Sequence, residues 1–187
     1  MLSNSHVQDN VEIVVRDKDG KIKPVFQPWR VVMWAIKRGY LSPLHAKVPG
    51  FFGYWSDSLI FSNGITNAGR AVISGLINGS GTPAAFTYVA VGTGTNAFAA
   101  TDTTLQTETA ASGLTRAAGT VSLVTTTITN DTAQVLKQFT VTGTVAVTEA
   151  GLLNASSNGS LLCRQTFSAI NVVNGDTLQI TWKVQNT

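Results

Sequence analysis

The sequence lacks the residues on which disulfide-stabilised and catalytic proteins depend. Its single cysteine, Cys163, excludes an intrachain disulfide. The two histidines, His6 and His45, lie in the irregular N-terminal third, so no nucleophile–base pair is predicted in the rest of the chain. No His, Cys or carboxylate cluster has the spacing of metal ligands. The sequence therefore predicts a protein that is not an enzyme and has no metal or cofactor.

Charge is also scarce, since 12% of the residues are charged, against roughly 25% in typical soluble domains. The basic residues Arg16 and Lys18 alternate with Asp17 and Asp19, which argues against specific nucleic-acid binding.

The N-terminus has no basic segment followed by an apolar run, and no apolar stretch reaches the roughly 18 residues of a membrane span. We therefore expect no signal peptide, no membrane partner and synthesis in a cytoplasm.

Threonine, in contrast, is abundant, with 24 residues between Gly81 and Thr187. Apolar and polar residues alternate in several runs of this region, which is typical of half-buried strands. Strands are predicted at 86–91, 114–123, 135–141, 145–152, 160–170 and 177–184. Because tight turns join most of them, the predicted fold class is mainly β, an antiparallel β-sandwich or barrel with one short packed helix and an extended N-terminal arm.

The short helix is predicted over residues 65–78. Thr66 or Asn67 can cap its N-terminus, and the Asn-Gly-Ser-Gly run that follows ends it. Gly69 and Gly75 each weaken the helix by about 1 kcal/mol relative to alanine, so packing must stabilise it. Its apolar face comprises Ile65, Ala68, Val72, Ile73, Leu76 and Ile77.

Residues 1–58 are predicted to form the arm, followed by the helix and its connection at 59–81 and the β-sandwich domain at 82–187. An Asp-Lys-Asp-Gly turn between two β-rich runs predicts a hairpin in the arm, and residues 29–38 have helical spacing. We expect the arm's aromatic residues to bury into adjacent subunits as anchors, although the arm could instead fold back over its own domain. The predicted interface anchors are Phe26, Trp29, Trp34, Phe51, Phe52 and Trp55.

Glu149 is the carboxylate whose position is unusual, because valine, alanine and leucine residues surround it in a predicted strand. A buried carboxylate requires partners. We predict a structural ion pair with Arg164 or Arg116, or acceptance of backbone N–H groups. Nearby, the Gly-Thr-Gly-Thr run at 92–95 lacks the Gly-Lys-Ser/Thr of a phosphate loop, so it predicts a turn at the end of a strand.

Five sequence blocks are recognisable in their order along the chain. They are ITNAGR at 65–70, FTYVAVGTGT at 86–95, DTTLQTE at 102–108, TEAGLLN at 148–154 and LLCRQTF at 161–167. Together they resemble a widespread group of virion proteins of tailed bacteriophages, over about residues 60–184. Members of this group are head-decoration, tail or fibre components, so the resemblance implies a particle but no position on it. It brings no catalytic residues.

We therefore expect a structural component of the virion, a capsid-decoration or tail/fibre accessory protein that binds neighbouring virion subunits through its aromatic arm. Its expected partners are copies of itself, with a trimer favoured, and other virion structural proteins. The alternative is a carbohydrate- or host-receptor-binding module, for which Trp182 and Phe98 are the few aromatic candidates in the β domain. Glycan hydrolysis ranks lower because the spacing suggests no carboxylate pair.

Overall fold

The computed structural model describes residues 7–29 and 53–186, together with the single positions 32, 35, 38 and 40. The helix predicted over residues 29–38 therefore lies largely outside the described residues, and the predicted anchors Trp34, Phe51 and Phe52 lie outside them as well.

Antiparallel strands dominate the described residues, which confirms the predicted fold class as mainly β. In chain order the elements are β1 (Val7–Arg16), β2 (Val25–Pro28), β3 (Gly53–Ser56), β4 (Leu59–Asn63), helix α1 (Asn67–Asn78), β5 (Tyr88–Gly92), β6 (Ala117–Ala118), β7 (Thr120–Val124), β8 (Thr132–Thr140), β9 (Val145–Leu153), β10 (Leu161–Val172) and β11 (Thr177–Asn186). They form a five-stranded sheet β4-β1-β11-β8-β7, a four-stranded sheet β10-β9-β5-β6 and a two-stranded ribbon β2-β3.

The two larger sheets share one hydrophobic core, as in a β-sandwich. Val11 on β1 and Trp182 on β11 contribute to it from the five-stranded sheet, and Val91 on β5 and Val147 on β9 from the four-stranded sheet. All four side chains are fully buried. Because alternate residues of a strand face opposite sides, one face of each sheet lines this core and the opposite face lies outside it.

The N-terminal segment does not begin as an arm, which corrects the predicted division at residue 58. Strand β1 lies inside the five-stranded sheet, between β4 and β11, and pairs with β11 from Val7↔Asn186 to Arg16↔Thr177. Its alternating apolar residues enter the core. Local alternation predicts such a strand, but its main partner is at the far end of the sequence, where no local pattern identifies it.

The turn predicted at residues 17–20 forms, but the hairpin extends only as far as Lys23, whose N–H donates to the Val15 carbonyl at 2.8 Å. Asp17 Oδ1 accepts two backbone N–H bonds of the turn, both 2.9 Å long, and Gly20 has a φ of 79°. After one bridge between Arg16 and Ile22 the chain leaves β1, and β2 pairs with β3 instead. From Asp9 to Ile13 the same edge of β1 is already paired with β4, so β2 cannot continue the hairpin along β1.

Helix α1 begins at the predicted cap and packs on β10. Thr66 Oγ1 accepts the Gly69 N–H at 2.9 Å and donates to the Leu161 carbonyl at 2.5 Å. A Cβ at Gly69 would lie 2.8 Å from the Leu162 Cα, so this glycine lowers helix propensity but allows close packing. Within the described part of the chain, no helix has the length and apolarity to cross a membrane.

The six predicted strands of the β domain are all present, but one of them is divided between the two sheets. The segment predicted at 114–123 forms β6, which pairs with β5, and β7, which pairs with β8. The chain crosses from one sheet to the other at Gly119. A Cβ there would lie 2.7 Å from Val135 Cγ1, so only glycine fits the crossing without displacing β8.

Candidate functional site

A fully buried ion pair connects β9 and β10. Glu149 and Arg164 are 0% and 1% exposed, and Arg164 Nη1 lies 2.9 Å from Glu149 Oε2. In the strand register Arg164 is opposite Gly151, two residues along from Glu149, so both side chains lie on the same face. Arg164 and Arg116 were the two candidate partners predicted for Glu149, and the structure places Arg164 beside it.

This face is the outer side of the four-stranded sheet, away from the sandwich core. Glu149 alternates with Ala150, which belongs to that core. On the outer side, residues of the β5–β6 connection cover the sheet, and Leu105 from this connection packs in a second small apolar cluster with Leu153 and Leu161. The ion pair therefore lies beneath a long loop, between the loop and the sheet.

The Glu149 carboxylate also accepts three backbone N–H bonds from this loop. Oε1 accepts from Gly94 at 3.1 Å and from Thr107 at 2.7 Å, while Oε2 accepts from Gln106 at 3.1 Å. Each oxygen therefore has two donors, counting Arg164. A carboxylate that is fully buried and saturated in this way holds the loop in place and is not available to a substrate.

The glycines of the 92–95 run make room for this carboxylate. A Cβ at Gly94 would lie 2.5 Å from Glu149 Oε1, and one at Gly92 would lie 2.6 Å from the same atom. Thr148 Oγ1 donates to the Gly94 carbonyl at 2.8 Å and fixes the turn from its other side. The run thus surrounds an anion that belongs to the chain itself.

Arg164 uses its remaining donors on the same loop. Its Nε lies 3.0 Å from Asp102 Oδ2, and its Nη2 donates to the carbonyls of Asn96 at 3.0 Å and Ala97 at 3.1 Å. One guanidinium thus joins two carboxylates and two carbonyls. Arginine is better suited than lysine to this role, because its planar guanidinium can donate hydrogen bonds to several acceptors at once.

The other predicted cation, Arg116, has a different partner. Its Nε donates to Glu108 Oε1 at 2.9 Å, and its Nη2 donates to the second carboxylate oxygen. Its Nη1 reaches the carbonyls of Ala155 at 3.2 Å and Asn158 at 2.8 Å. This pair connects the end of the loop to the turn between β9 and β10.

Asp131 is a turn carboxylate with a structural role. It accepts backbone N–H bonds from Ile128 at 3.0 Å and from Thr126 and Thr127 at 2.9 Å. These bonds, with the one from Ile128 contributing most, hold the pKa of the Asp131 carboxyl well below its usual value.

Across the described residues, no group of three or more His, Cys, Asp and Glu side chains could hold a metal ion.

The β2–β3 ribbon carries an exposed aromatic surface. Trp29 is 48%, Tyr54 46% and Trp55 58% exposed. The rings meet edge to face, with centroids 5.7 Å apart for Trp29 and Tyr54 and 5.8 Å apart for Phe26 and Trp55. Because neighbouring residues of a strand point to opposite faces, Phe26 and Trp55 lie on one face of the ribbon and Trp29 and Tyr54 on the other. The structure thus places three predicted anchors in one ribbon and adds Tyr54, which its place beside Trp55 in the sequence could have indicated. We call Phe26, Trp29, Tyr54 and Trp55 the aromatic ribbon.

A second apolar surface lies at the edge strand β7, and sequence reasoning missed it. Val121 and Leu123 are 57% and 62% exposed, although Val135, opposite Val121 on β8, is buried in the core. Their side chains therefore point to the inner face of the five-stranded sheet. They stay exposed because the opposing sheet ends at the two-residue strand β6.

A groove of about 480 Å³ separates β7 from helix α1 and is lined mainly by apolar side chains. Leu76 lines it from the helix, and the adjacent Ile77 is 82% exposed, although both were predicted on the packed face of the helix. We call Leu76, Val121 and Leu123, which line this groove together, the apolar edge. The signal that could have indicated it is the absence of any charged residue between Arg116 and Asp131.

The two aromatic residues considered for a sugar site in the β domain do not form one. Trp182 is fully buried in the sandwich core. Phe98 is partly buried and covers Gly64, where a Cβ would lie 2.6 Å from its Cε1. Neither ring offers an open face of the kind on which a sugar stacks.

The five sequence blocks that carry the resemblance meet in space. Block 65–70 contains Thr66, the cap of α1, whose hydroxyl donates to the Leu161 carbonyl of β10. The other four blocks supply residues of the network around Glu149 and Arg164. No protein-family model, curated protein or solved structure matches the chain significantly. The resemblance therefore rests on the blocks alone, and their shared role here is to hold a loop on a sheet.

Proposed function

We propose that this protein is a non-enzymatic structural component of a bacteriophage particle, a capsid-decoration or tail/fibre accessory protein. The observation that carries the proposal is the aromatic ribbon, which exposes Trp29 and Tyr54 on one face and Trp55 on the other, each about half exposed. Large aromatic side chains are enriched in the centres of protein–protein contacts, and contiguous exposed apolar patches mark such contacts.

The rest of the domain supplies a rigid support for this surface. The network of Glu149 and Arg164 connects the long β5–β6 loop to the sheet. Lys23, two residues before β2, is bonded to the buried Asp176 at 2.5 Å, which ties the start of the ribbon to the sandwich. A contact residue held on a rigid support loses little conformational entropy on binding.

The proposed mechanism is cementing between subunits. Each aromatic ribbon inserts its rings into a pocket of a neighbouring subunit, where burial of one large side chain contributes about 1.5–3 kcal/mol. Many equivalent contacts around a symmetric particle then add up to a stable assembly. The predicted partners are copies of this chain and other virion structural proteins, and the trimer expected from the sequence stays a prediction.

The test is association with particles made in a host that carries the coding sequence. Tailed particles are purified by density gradient, washed in high salt and quantified by mass spectrometry. The wild-type chain is expected at a fixed number of copies per particle, and Trp29→Ser with Trp55→Ser should lower that number at least tenfold. Ile60→Ser is the matched control, because Ile60 is 59% exposed on β4, outside the ribbon. Absence of the chain from washed particles, or full occupancy by the tryptophan variant, would overturn the proposal.

The second candidate is a carbohydrate- or host-receptor-binding module in the particle. The observation that favours it is the hydrogen bond of 2.9 Å from the Tyr54 hydroxyl to Gln27 Oε1, which sets an amide beside exposed rings. Sugar sites combine aromatic faces with such polar groups. Screening of the purified chain on immobilised glycans tests it: saturable binding that Trp29→Ser abolishes would favour this function over cementing, because Trp29 contacts Tyr54 on the face that carries the amide.

A further inference from the structure

Strand β7 is an unfinished edge of the five-stranded sheet. It pairs with β8 on one side, and within the described residues no strand pairs with its other side. Backbone N–H and C=O groups along such an edge form a ready template for another strand. Its inward side chains Val121 and Leu123 are also uncovered.

The edge at the opposite end of the sheet is different. On β4 the inward residue Leu59 is 1% exposed, and Phe61 stacks on Phe167 with ring centroids 5.9 Å apart. Among the described residues, the inward side chains of β4 are covered, whereas those of β7 are not. Any pairing at the ends of this sheet is therefore expected at β7.

Residues 120–130 contain no charged residue, proline or glycine. Natural proteins protect exposed edges with lysine, proline, bulges or inward-pointing charges, and this edge has none of them in its strand. The groove beside β7 continues the same apolar surface to Leu76 near the end of α1.

The absence of charge favours a second copy of the chain as the occupant. In a two-fold contact the same patch meets itself, so a charged patch would repel its copy and an uncharged one does not. The chain has a net charge of +3, so a partner of opposite charge would be attracted mainly to its charged surfaces. Strand β7 has no charged residue and therefore offers such a partner no electrostatic attraction.

We propose that β7 pairs antiparallel with β7 of a second copy, around a two-fold axis at Ser122. This register pairs all five residues of the strand and sets Val121 opposite the second copy's Leu123. It joins the two five-stranded sheets into one and places both grooves beside the same axis. The inference deepens the self-packing part of the proposed function, on which it rests.

Cysteine cross-linking tests the register. The native Cys163 is fully buried, so Ser122→Cys introduces one accessible thiol. Across an antiparallel pair the two Cα atoms are about 4.5–5.5 Å apart, within the range that a disulfide spans. Under mild oxidation the variant is expected to form a disulfide-linked dimer in high yield at low protein concentration. Ser62→Cys on β4 is the matched control and should stay uncross-linked.

Association of the full chain tests the surface, measured by sedimentation velocity and light scattering over a concentration series. The wild type is expected to contain a dimer, or an even multiple of it, and Leu123→Lys should weaken the dimer at least tenfold. Ile60→Lys, a replacement of similar exposure on β4, should leave it unchanged. Circular dichroism checks that the variants fold, and Leu123→Thr replaces the lysine variant if that one does not.

Two results would overturn this inference, and they bear differently on the proposed function. In the first result, the wild type forms an oligomer that Leu123→Lys and Leu123→Thr leave intact, or it forms a trimer and Ser122→Cys gives no cross-link. Self-packing then stands, but β7 is not the surface that mediates it. If the wild type is a monomer at all concentrations, both this surface and the self-packing part of the proposed function fail, while particle association is still decided by its own test.

Discussion

The guanidinium of Arg164 lies 2.9 Å from the carboxylate of Glu149 at a position where neither side chain contacts solvent. Desolvation makes each charge costly alone, so each depends on the other and on the loop that surrounds them. The network therefore behaves as one unit that determines whether the β5–β6 loop is ordered.

Removal of the Glu149 charge is expected to destabilise the fold strongly. Glu149→Ala leaves the Arg164 charge buried and three backbone N–H groups without their acceptor, which should lower the free energy of unfolding by about 3–5 kcal/mol. Urea denaturation measures the change. Asp19→Ala is the control, because its ion pair with Lys18 is exposed and should contribute about 0–1 kcal/mol. Equal losses for the two variants would contradict a structural role of Glu149.

A side chain at Gly94 should disturb the same network. The Cβ of Gly94→Ala would lie 2.5 Å from Glu149 Oε1, and we expect a loss of about 1–3 kcal/mol from the overpacked contact. The Cβ would also lie 2.5 Å from Gln106 Cβ. In the double variant with Glu149→Ala one of these two obstructing atoms is gone, so the two losses should be less than additive. Additive losses in a double-mutant cycle measured by urea denaturation would show that Gly94 acts independently of Glu149.

The cap of α1 should depend on the Thr66 hydroxyl. This group accepts the Gly69 N–H and donates to the Leu161 carbonyl, so Thr66→Ala is expected to lower the free energy of unfolding by about 1–2 kcal/mol. Thr66→Ser keeps the hydroxyl and should retain most of the stability. Thermal unfolding of both variants compares them, and a serine variant as weak as the alanine variant would point to the lost methyl group instead.

Asp131 should contribute to the pH dependence of stability. Because backbone N–H groups, with Ile128 first, lower the pKa of Asp131 in the folded state, its contribution is present above the unfolded-state pKa of about 3.9. It is lost as the pH falls from that value through the folded-state pKa. The difference in urea midpoint between wild type and Asp131→Asn should therefore be constant from pH 5 to 7 and shrink below about pH 4. A difference that stays constant at low pH would exclude this linkage.

Local patterns predicted the strands of the β domain, helix α1 with either Thr66 or Asn67 as its cap, and the unusual environment of Glu149. They named both Arg164 and Arg116 as candidate cations, and the register of β9 with β10 is what places Arg164 beside Glu149. Pairing between distant segments is decided by tertiary packing, so the main partner of β1 could not be predicted either.

The exposure of the apolar edge could not be predicted for a related reason. Alternation identifies which residues of a strand share a face, but burial also depends on what covers that face. The crossing at Gly119 leaves β7 beyond the end of the opposing sheet. Val121 and Leu123 are therefore exposed although their spacing is that of core residues.

The pairing of Val7 with Asn186 sets both ends of the described chain side by side at one end of the β1–β11 pair. A force that pulls these two ends apart loads the interstrand hydrogen bonds one after another, because they lie perpendicular to the strands. Such a pair opens like a zipper at low force. A pull between Val7 and Thr177, at opposite ends of the same pair, would load all of these bonds together, so mechanical strength should depend strongly on the points of attachment.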